Sequence, residues 1–78
     1  MPDMTHTDDI ARTVGDALRQ RRRRLNLTQQ DVADLAGLAR YTIGRVEAGD
    51  AGAQLDTLAR MADAVGLTVS LSTQYRES

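Results

Sequence analysis

The sequence predicts a small all-α fold, a bundle of four helices followed by one short β-strand. Apolar residues recur every three or four positions over most of the chain, which indicates helices with one buried face. Glycines and helix-capping residues divide this pattern into four segments. Over residues 67–71 the period changes to two, with apolar and hydroxyl residues alternating, and this predicts the strand.

The four helices can be placed from their start and stop signals. Thr7 is expected to cap a first helix from Asp8 to Leu25, preceded by a disordered tail over residues 1–7. Thr28 and Asp31 form a capping-box pattern at the start of the second helix. Its end is set by Gly37. The third is predicted from Arg40 to about Ala48, and the fourth from Leu55 to Val65, closed by Gly66.

A chain of 78 residues is enough for one domain with a modest core. There is no cysteine and only one histidine, so neither disulfides nor a structural zinc site is expected, and no cofactor is predicted. Oligomerisation is the remaining source of stability for so small a core. A lone strand in a helical chain also needs a partner, so residues 67–78 are expected to form a homodimer through Leu67, Val69 and Leu71.

Composition excludes several classes of protein. No apolar run is long enough to span a membrane, and the polar N-terminus lacks the features of a secretion signal. A cytoplasmic protein is therefore expected. Cysteine and lysine are absent, and no glycine-rich phosphate loop or paired carboxylates stand out, so the protein is not expected to be an enzyme.

Positive charge is concentrated in the middle of the chain, although the net charge is −1. Residues 12–45 contain eight of the ten basic residues, all arginines, and only three acids. This distribution favours one anion-binding face, and a solvated helix surface is the alternative. Successive arginines of the run 21–24 lie about 100° apart on a helix and cannot share one face. Arg19, Arg23 and Arg24 are expected on a solvated face, with contact of one of them to a phosphate as the alternative. The guanidinium of Arg21 is expected in solvent.

The most informative segment runs from Leu27 to Gly49. Ala33 is small where two helices would cross, Gly37 permits a tight turn, and Leu38 fills it. Two further apolar residues, at 43 and 46, would anchor the next helix on the core. Residues of these sizes at these offsets predict a helix-turn-helix motif.

The motif resembles the lambda-repressor-like, or XRE, family of DNA-binding domains, and the resemblance covers Val14 to Leu67. It rests on L-T-Q at residues 27–29, A-x-x-x-G at 33–37 and R-V-E-A-G at 45–49. The resemblance implies that residues 8–66 form a DNA-binding domain whose third helix lies in the major groove.

Specific roles follow from this resemblance. Side chains that would contact bases are Arg40, Tyr41 and Arg45. Residues that would contact the DNA backbone are Gln29, Thr28, Thr42 and Gly49. Arg22 and Glu47 match positions that form a structural ion pair. Gly44, inside the recognition helix, suggests a close approach of either the second helix or the DNA.

The strand-like C-terminus is similar to that of HipB-type antitoxins. This resemblance implies a homodimeric repressor of its own operon, which binds double-stranded DNA at an inverted-repeat operator and also binds a HipA-like toxin kinase. Two alternatives remain open at this point. One is a phage-type or restriction-system control regulator without a toxin partner. The other is a protein-interaction module whose DNA contacts are vestigial.

Overall fold

A computed structural model of the protein describes residues 4–70, which form four helices. They are α1 (Met4–Arg24), α2 (Gln29–Ala36), α3 (Arg40–Glu47) and α4 (Leu55–Ala64). Their number and order confirm the predicted four-helix bundle. None of the helices found in this part of the chain is long and apolar enough to cross a membrane.

α1 begins four residues before the predicted start at Asp8. Thr7 therefore lies inside the helix and does not cap it. Residues 4–7 contain neither glycine nor proline, so nothing in the local sequence prevents the helix from beginning before Thr7. Of the tail predicted over residues 1–7, the last four residues are helical, and residues 1–3 lie outside the described part of the chain.

The start of α2 and the turn between α2 and α3 form as predicted. Thr28 Oγ1 accepts a hydrogen bond from the Asp31 amide at 3.0 Å, and the Asp31 carboxylate accepts one from the Thr28 amide at 2.8 Å. This reciprocal pair confirms the capping box at the start of α2. Gly37 follows the helix with a φ of 69°, which glycine adopts without strain. α3 then begins at Arg40.

The core lies where the four helices meet. Its buried side chains are Leu18, Val32, Ala33, Ile43, Val46, Met61, Ala62 and Val65. Ala33 and Ile43 are fully buried, which agrees with a small residue at the helix crossing and an apolar anchor on α3. Arg21, whose guanidinium was expected in solvent, instead donates from Nε to the Val65 carbonyl at 2.8 Å. Carbonyls at the end of a helix lack partners within it, so this one provides the arginine with an acceptor.

α1 and α3 approach each other closely at Gly15. A Cβ atom at this position would lie 2.2 Å from the Val46 carbonyl oxygen, closer than two such atoms can come. The approach is therefore possible only because residue 15 has no side chain. It fixes α3 against α1 and so determines which face of α3 points away from the bundle.

The segment that follows α4 has no regular secondary structure over residues 67–70. Leu67 and Val69 pack against the core, whereas Thr68 and Ser70 are exposed. The predicted alternation is thus present in side-chain exposure, but the described residues form no strand. A strand needs a neighbour for its backbone hydrogen bonds, and residues 4–66, which form the four helices and their connections, offer none. Leu71, the third residue of the predicted dimer contact, lies outside the described residues.

Candidate nucleic-acid interface

The outward face of α3 carries the three side chains predicted to contact bases. Arg40, Tyr41 and Arg45 are exposed, and Tyr41 retains 70% of its accessible surface. Ile43 and Val46, on the opposite face, are buried. Because a helix repeats every 3.6 residues or so, one face can pack on the core while the other stays open. The fold therefore leaves three hydrogen-bonding side chains on one accessible helical surface.

Arg45 is held in position by two neighbours. Its Nη1 donates to the Tyr41 hydroxyl at 3.2 Å, and its guanidinium carbon lies 5.7 Å from the Tyr41 ring centroid. Its Nη2 lies 3.2 Å from Asp50 Oδ2. The hydrogen bond to Tyr41 and the charge of Asp50 raise the pKa of Arg45. Asp50 is itself fixed, since its Oδ1 accepts from the Gly52 amide at 2.9 Å.

A chain of hydrogen bonds connects the start of α3 to its buried end. Arg40 Nη1 donates to Gln29 Oε1 at 3.0 Å, and Gln29 Nε2 donates to Glu47 Oε1 at 3.2 Å. Glu47 also accepts from Arg22 Nε at 2.7 Å and from Arg22 Nη2 at 2.9 Å. Arg22 Nη1 completes the chain by donating to the Leu27 carbonyl at 2.9 Å. The structure thus brings together Arg22 and Glu47, the two residues expected to form an ion pair.

This ion pair is buried. The side chains of Arg22 and Glu47 are 11% and 4% exposed. Burial disfavours the charged form of Glu47, but the hydrogen bonds from Arg22 and Gln29 and the charges of Arg22 and Arg19 outweigh it and lower the pKa of Glu47. The same hydrogen bond with Glu47 raises the pKa of Arg22. Both groups are therefore charged at neutral pH, and the pair ties α1 to α3.

Comparison with known families agrees with this architecture. A family model described as a helix-turn-helix domain matches residues 13–72, which is most of the chain. The chain belongs to the helix-turn-helix domain family. This membership supports a DNA-binding protein of the helix-turn-helix kind and confirms the predicted motif at that level. No curated protein matches the chain.

Residues expected to contact the DNA backbone occupy two places in the helix-turn-helix domain. Thr28 and Gln29 stand at the start of α2, where the first amides of a helix lack partners within it. Thr42 is half-buried on α3 and lines a shallow cleft together with Arg45 and Asp50. Each place adjoins a side chain of the exposed surface, since Gln29 contacts Arg40 and Thr42 shares its cleft with Arg45.

Gly49 differs from these residues, because contacts within the protein explain why residue 49 is a glycine. Its amide donates to the Val46 carbonyl at 3.0 Å, so this donor is already engaged. Its φ is 92°, and a Cβ atom here would lie 2.7 Å from Arg12 Cγ. The turn after α3 therefore requires glycine at this position without reference to any ligand.

The structure shows contacts of two residues of the helix-turn-helix domain, Asp50 and Gly44, that the sequence did not predict. Asp50 holds Arg45, yet it lies beyond the turn that ends α3, where helical spacing gives no signal. A Cβ atom at Gly44 would meet only the Gln29 amide group, at 3.8 and 3.9 Å, which are ordinary contacts. Of the two explanations left open for Gly44, close approach of α2 is therefore excluded.

Proposed function

We propose that this helix-turn-helix domain is a sequence-specific DNA-binding repressor that inserts α3 into the major groove. The observation that carries the proposal is the contrast between the two faces of α3. Ile43 and Val46 are buried, while Arg40, Tyr41 and Arg45 are exposed. A helix anchored along one side fits the width of the major groove and presents its other side to base edges.

The side chains on this surface suit the reading of bases. Arg40 and Arg45 can each donate two hydrogen bonds to the O6 and N7 acceptors of guanine. The Tyr41 hydroxyl can donate or accept. Because two of the three residues are arginines, we infer a half-site that contains G·C pairs. Gln29 supports this reading, since it already holds Arg40 at 3.0 Å.

Phosphate contacts are assigned to the two flanking places. Thr28 and Gln29 would hold one phosphate at the start of α2, where helix geometry favours an anion. Thr42 would hold another from the cleft beside Arg45. Gly49 contributes only by letting the turn approach the DNA, because its amide is engaged with Val46.

We infer that the repressor acts as a homodimer on an inverted repeat. Leu67 and Val69 face the bundle while Thr68 and Ser70 face outward, so residues 67–70 have the alternating side-chain exposure of a strand. A second copy would supply the missing strand, with Leu71 in the same row. Two domains related in this way would meet half-sites about 34 Å apart.

The regulatory setting is inferred from the resemblance to HipB-type antitoxins. On that basis the protein represses its own operon and binds a HipA-like toxin kinase. The neighbouring reading frame decides between this setting and a regulator without a toxin. A kinase-like neighbour whose product binds this protein supports the antitoxin role, and an unrelated neighbour contradicts it.

The direct test is selection of duplexes from a randomised DNA library, followed by titration of the selected duplex. Arg40→Ala and Arg45→Ala should each weaken its binding by about 1–3 kcal/mol while the fold survives. Arg60→Ala is the matched control, because the Arg60 side chain is 53% exposed, as that of Arg45 is, but lies on α4. Unchanged affinity in both α3 variants would contradict the proposed reading surface, and failure to select any duplex would contradict the DNA-binding function.

The dimer has a separate test. Truncation after Gly66 removes the whole strand pattern together with the core contacts of Leu67 and Val69, so circular dichroism first checks that the four helices are retained. Sedimentation should show that the truncated protein dissociates at a higher concentration than the full chain. Identical profiles would contradict strand pairing without affecting the proposed role of α3.

A further inference from the structure

A polar cleft of about 240 Å³ lies beside α3, on the side that faces α1 and the start of α2. Its lining includes Arg19, Arg22, Arg23, Gln29, Gly44 and Glu47. Three of these residues belong to α1, at positions i, i+3 and i+4, which lie on one face of a helix. The sequence pattern therefore contained this face, although the consecutive run of arginines concealed it.

The charge of the cleft is positive. Arg22 and Glu47 neutralise each other in their buried pair. Arg19 and Arg23 are exposed, and within residues 4–70 neither forms an ion pair with an acid. The start of α2 adds the partial positive charge of a helix N-terminus. The cleft therefore carries two guanidinium groups whose hydrogen-bond donors are available to an anion.

The floor of the cleft is open at Gly44. The nearest atoms to a Cβ at this position would be those of the Gln29 amide, at 3.8 and 3.9 Å. Packing within the protein therefore does not require glycine here, in contrast to Gly15, where a Cβ would lie 2.2 Å from a carbonyl oxygen. Glycine inside a helix is unfavourable, and at residue 44 it leaves the backbone of α3 accessible from the cleft.

We propose that this cleft binds a phosphate of the DNA backbone and extends the interface from the helix-turn-helix onto α1. Arg19 and Arg23 donate to the phosphate oxygens, and Gly44 lets the phosphate approach α3. Gln29 connects the cleft to Arg40 through the hydrogen bond at 3.0 Å. The bound phosphate is thus connected through Gln29 to a side chain that the proposed function assigns to base contact. This inference rests on the proposed DNA-binding function.

The test compares three single variants of the full-length protein: Arg19→Gln, Arg23→Gln and Arg24→Gln. Arg24 is the control, since it is an exposed arginine on the same helix that does not line the cleft. The probes are the duplex selected by the unmodified protein and a scrambled duplex of equal length. Each variant is titrated at several salt concentrations. Each phosphate contact contributes about 0.9 to the slope of log K against log salt.

Because both arginines contact the same phosphate, Arg19→Gln and Arg23→Gln should each reduce the magnitude of that slope, by no more than about 0.9. They should also weaken binding of both duplexes to the same extent, because phosphates carry no sequence information. Arg24→Gln should leave the slope unchanged. Arg19→Lys, which keeps the charge, should retain it. Melting curves of all variants check that the fold is intact.

Two results would overturn the proposal while leaving DNA binding intact. The first is an unchanged slope in both cleft variants. The second is an equal decrease in Arg24→Gln, which would indicate a diffuse basic surface instead of a defined cleft. Absence of any DNA binding by the unmodified protein would overturn the proposed function and this inference together.

Discussion

The two faces of α3 each carry an arginine–carboxylate pair, but the pairs differ in their access to water. On the inward side, Arg22 and Glu47 are 11% and 4% exposed and their closest atoms are 2.7 Å apart. On the outward side, Arg45 and Asp50 are 53% and 26% exposed and their closest atoms are 3.2 Å apart. The same chemistry therefore fixes the helix on one side and leaves it able to exchange partners on the other.

The difference follows from desolvation. An exposed pair contributes no more than about 1 kcal/mol, because water competes for both groups. A buried pair adds little net stability compared with an apolar pair, yet removing one member leaves a charge that nothing compensates. Burial thus makes the inward pair costly to break, while the exposed Arg45 can leave Asp50 and contact a ligand at a small cost in free energy.

Glu47→Gln is expected to have the largest effect. The substitution preserves the size of the side chain but removes the charge that faces Arg22 on the buried side. Loss of one partner from a buried pair costs about 3–5 kcal/mol. We expect a decrease of about 3 kcal/mol in the free energy of unfolding, measured with urea at pH 7, because the amide oxygen still accepts a hydrogen bond.

Asp56→Asn is the matched control, since it removes the partner of Arg60 from an exposed pair on α4. Its effect on the free energy of unfolding should stay below about 0.5 kcal/mol.

The pKa of Glu47 is lowered in the folded protein. Its stabilisation is therefore present above the pKa of an unfolded glutamate, about 4.3, and is lost as the pH falls through the folded value. The difference in the free energy of unfolding between Glu47→Gln and the unmodified protein should therefore shrink as the pH falls. Equal free energies of unfolding for Glu47→Gln and the unmodified protein at pH 7 would contradict a structural role for the Arg22–Glu47 pair.

Gly15→Ala should produce the second largest effect, again on the inward side. The added methyl group would meet the Val46 carbonyl oxygen at 2.2 Å, so α1 and α3 must separate. Overpacking of this kind costs about 1–3 kcal/mol. Gly44→Ala is the outward counterpart, with ordinary contacts only, and it should stabilise the protein by about 0.5–1 kcal/mol. Thermal melts of both variants measure the contrast, and destabilisation by Gly44→Ala would argue against an open outward face.

Asp50→Asn should change stability least, by less than about 1 kcal/mol. Asparagine keeps an oxygen for the Gly52 amide but removes the charge that faces Arg45. On the proposed function, Arg45 then leaves no carboxylate unpaired on binding, so the affinity for the selected duplex should increase. Asp63→Asn, an exposed acid on α4, is the control. A loss of affinity in the Asp50 variant would mean that the carboxylate orients Arg45 and does not compete with the DNA.

The start of α2 and the α2–α3 turn were predictable because their signals are local. The capping box of Thr28 and Asp31 and the left-handed Gly37 each act within a few residues, and the structure contains all of them. The start of α1 was not predictable in this way, since Thr7 can cap a helix but is equally able to lie within one. A cap signal identifies a permitted start and does not exclude an earlier one.

Contacts between distant segments were harder to predict. The acceptor for Arg21 is a carbonyl 44 residues away, at the end of α4. The partner of Arg45 lies beyond a turn, and the requirement for glycine at residue 15 depends on how α1 crosses α3. None of these contacts follows from spacing along one element. The Arg22–Glu47 contact was anticipated only because family resemblance supplied it.

The hydrogen-bond chain from Arg40 through Gln29 to Glu47 has a consequence for any change of sequence preference. A new residue at position 40 gives up its support from Gln29, and a new residue at position 29 disturbs the acceptor of Arg22 as well. Substitutions at these two positions are therefore epistatic, whereas position 41 belongs to a different group of contacts. On the proposed function, a change of operator preference is therefore expected first at Tyr41 and Arg45, with positions 29 and 40 changing only together.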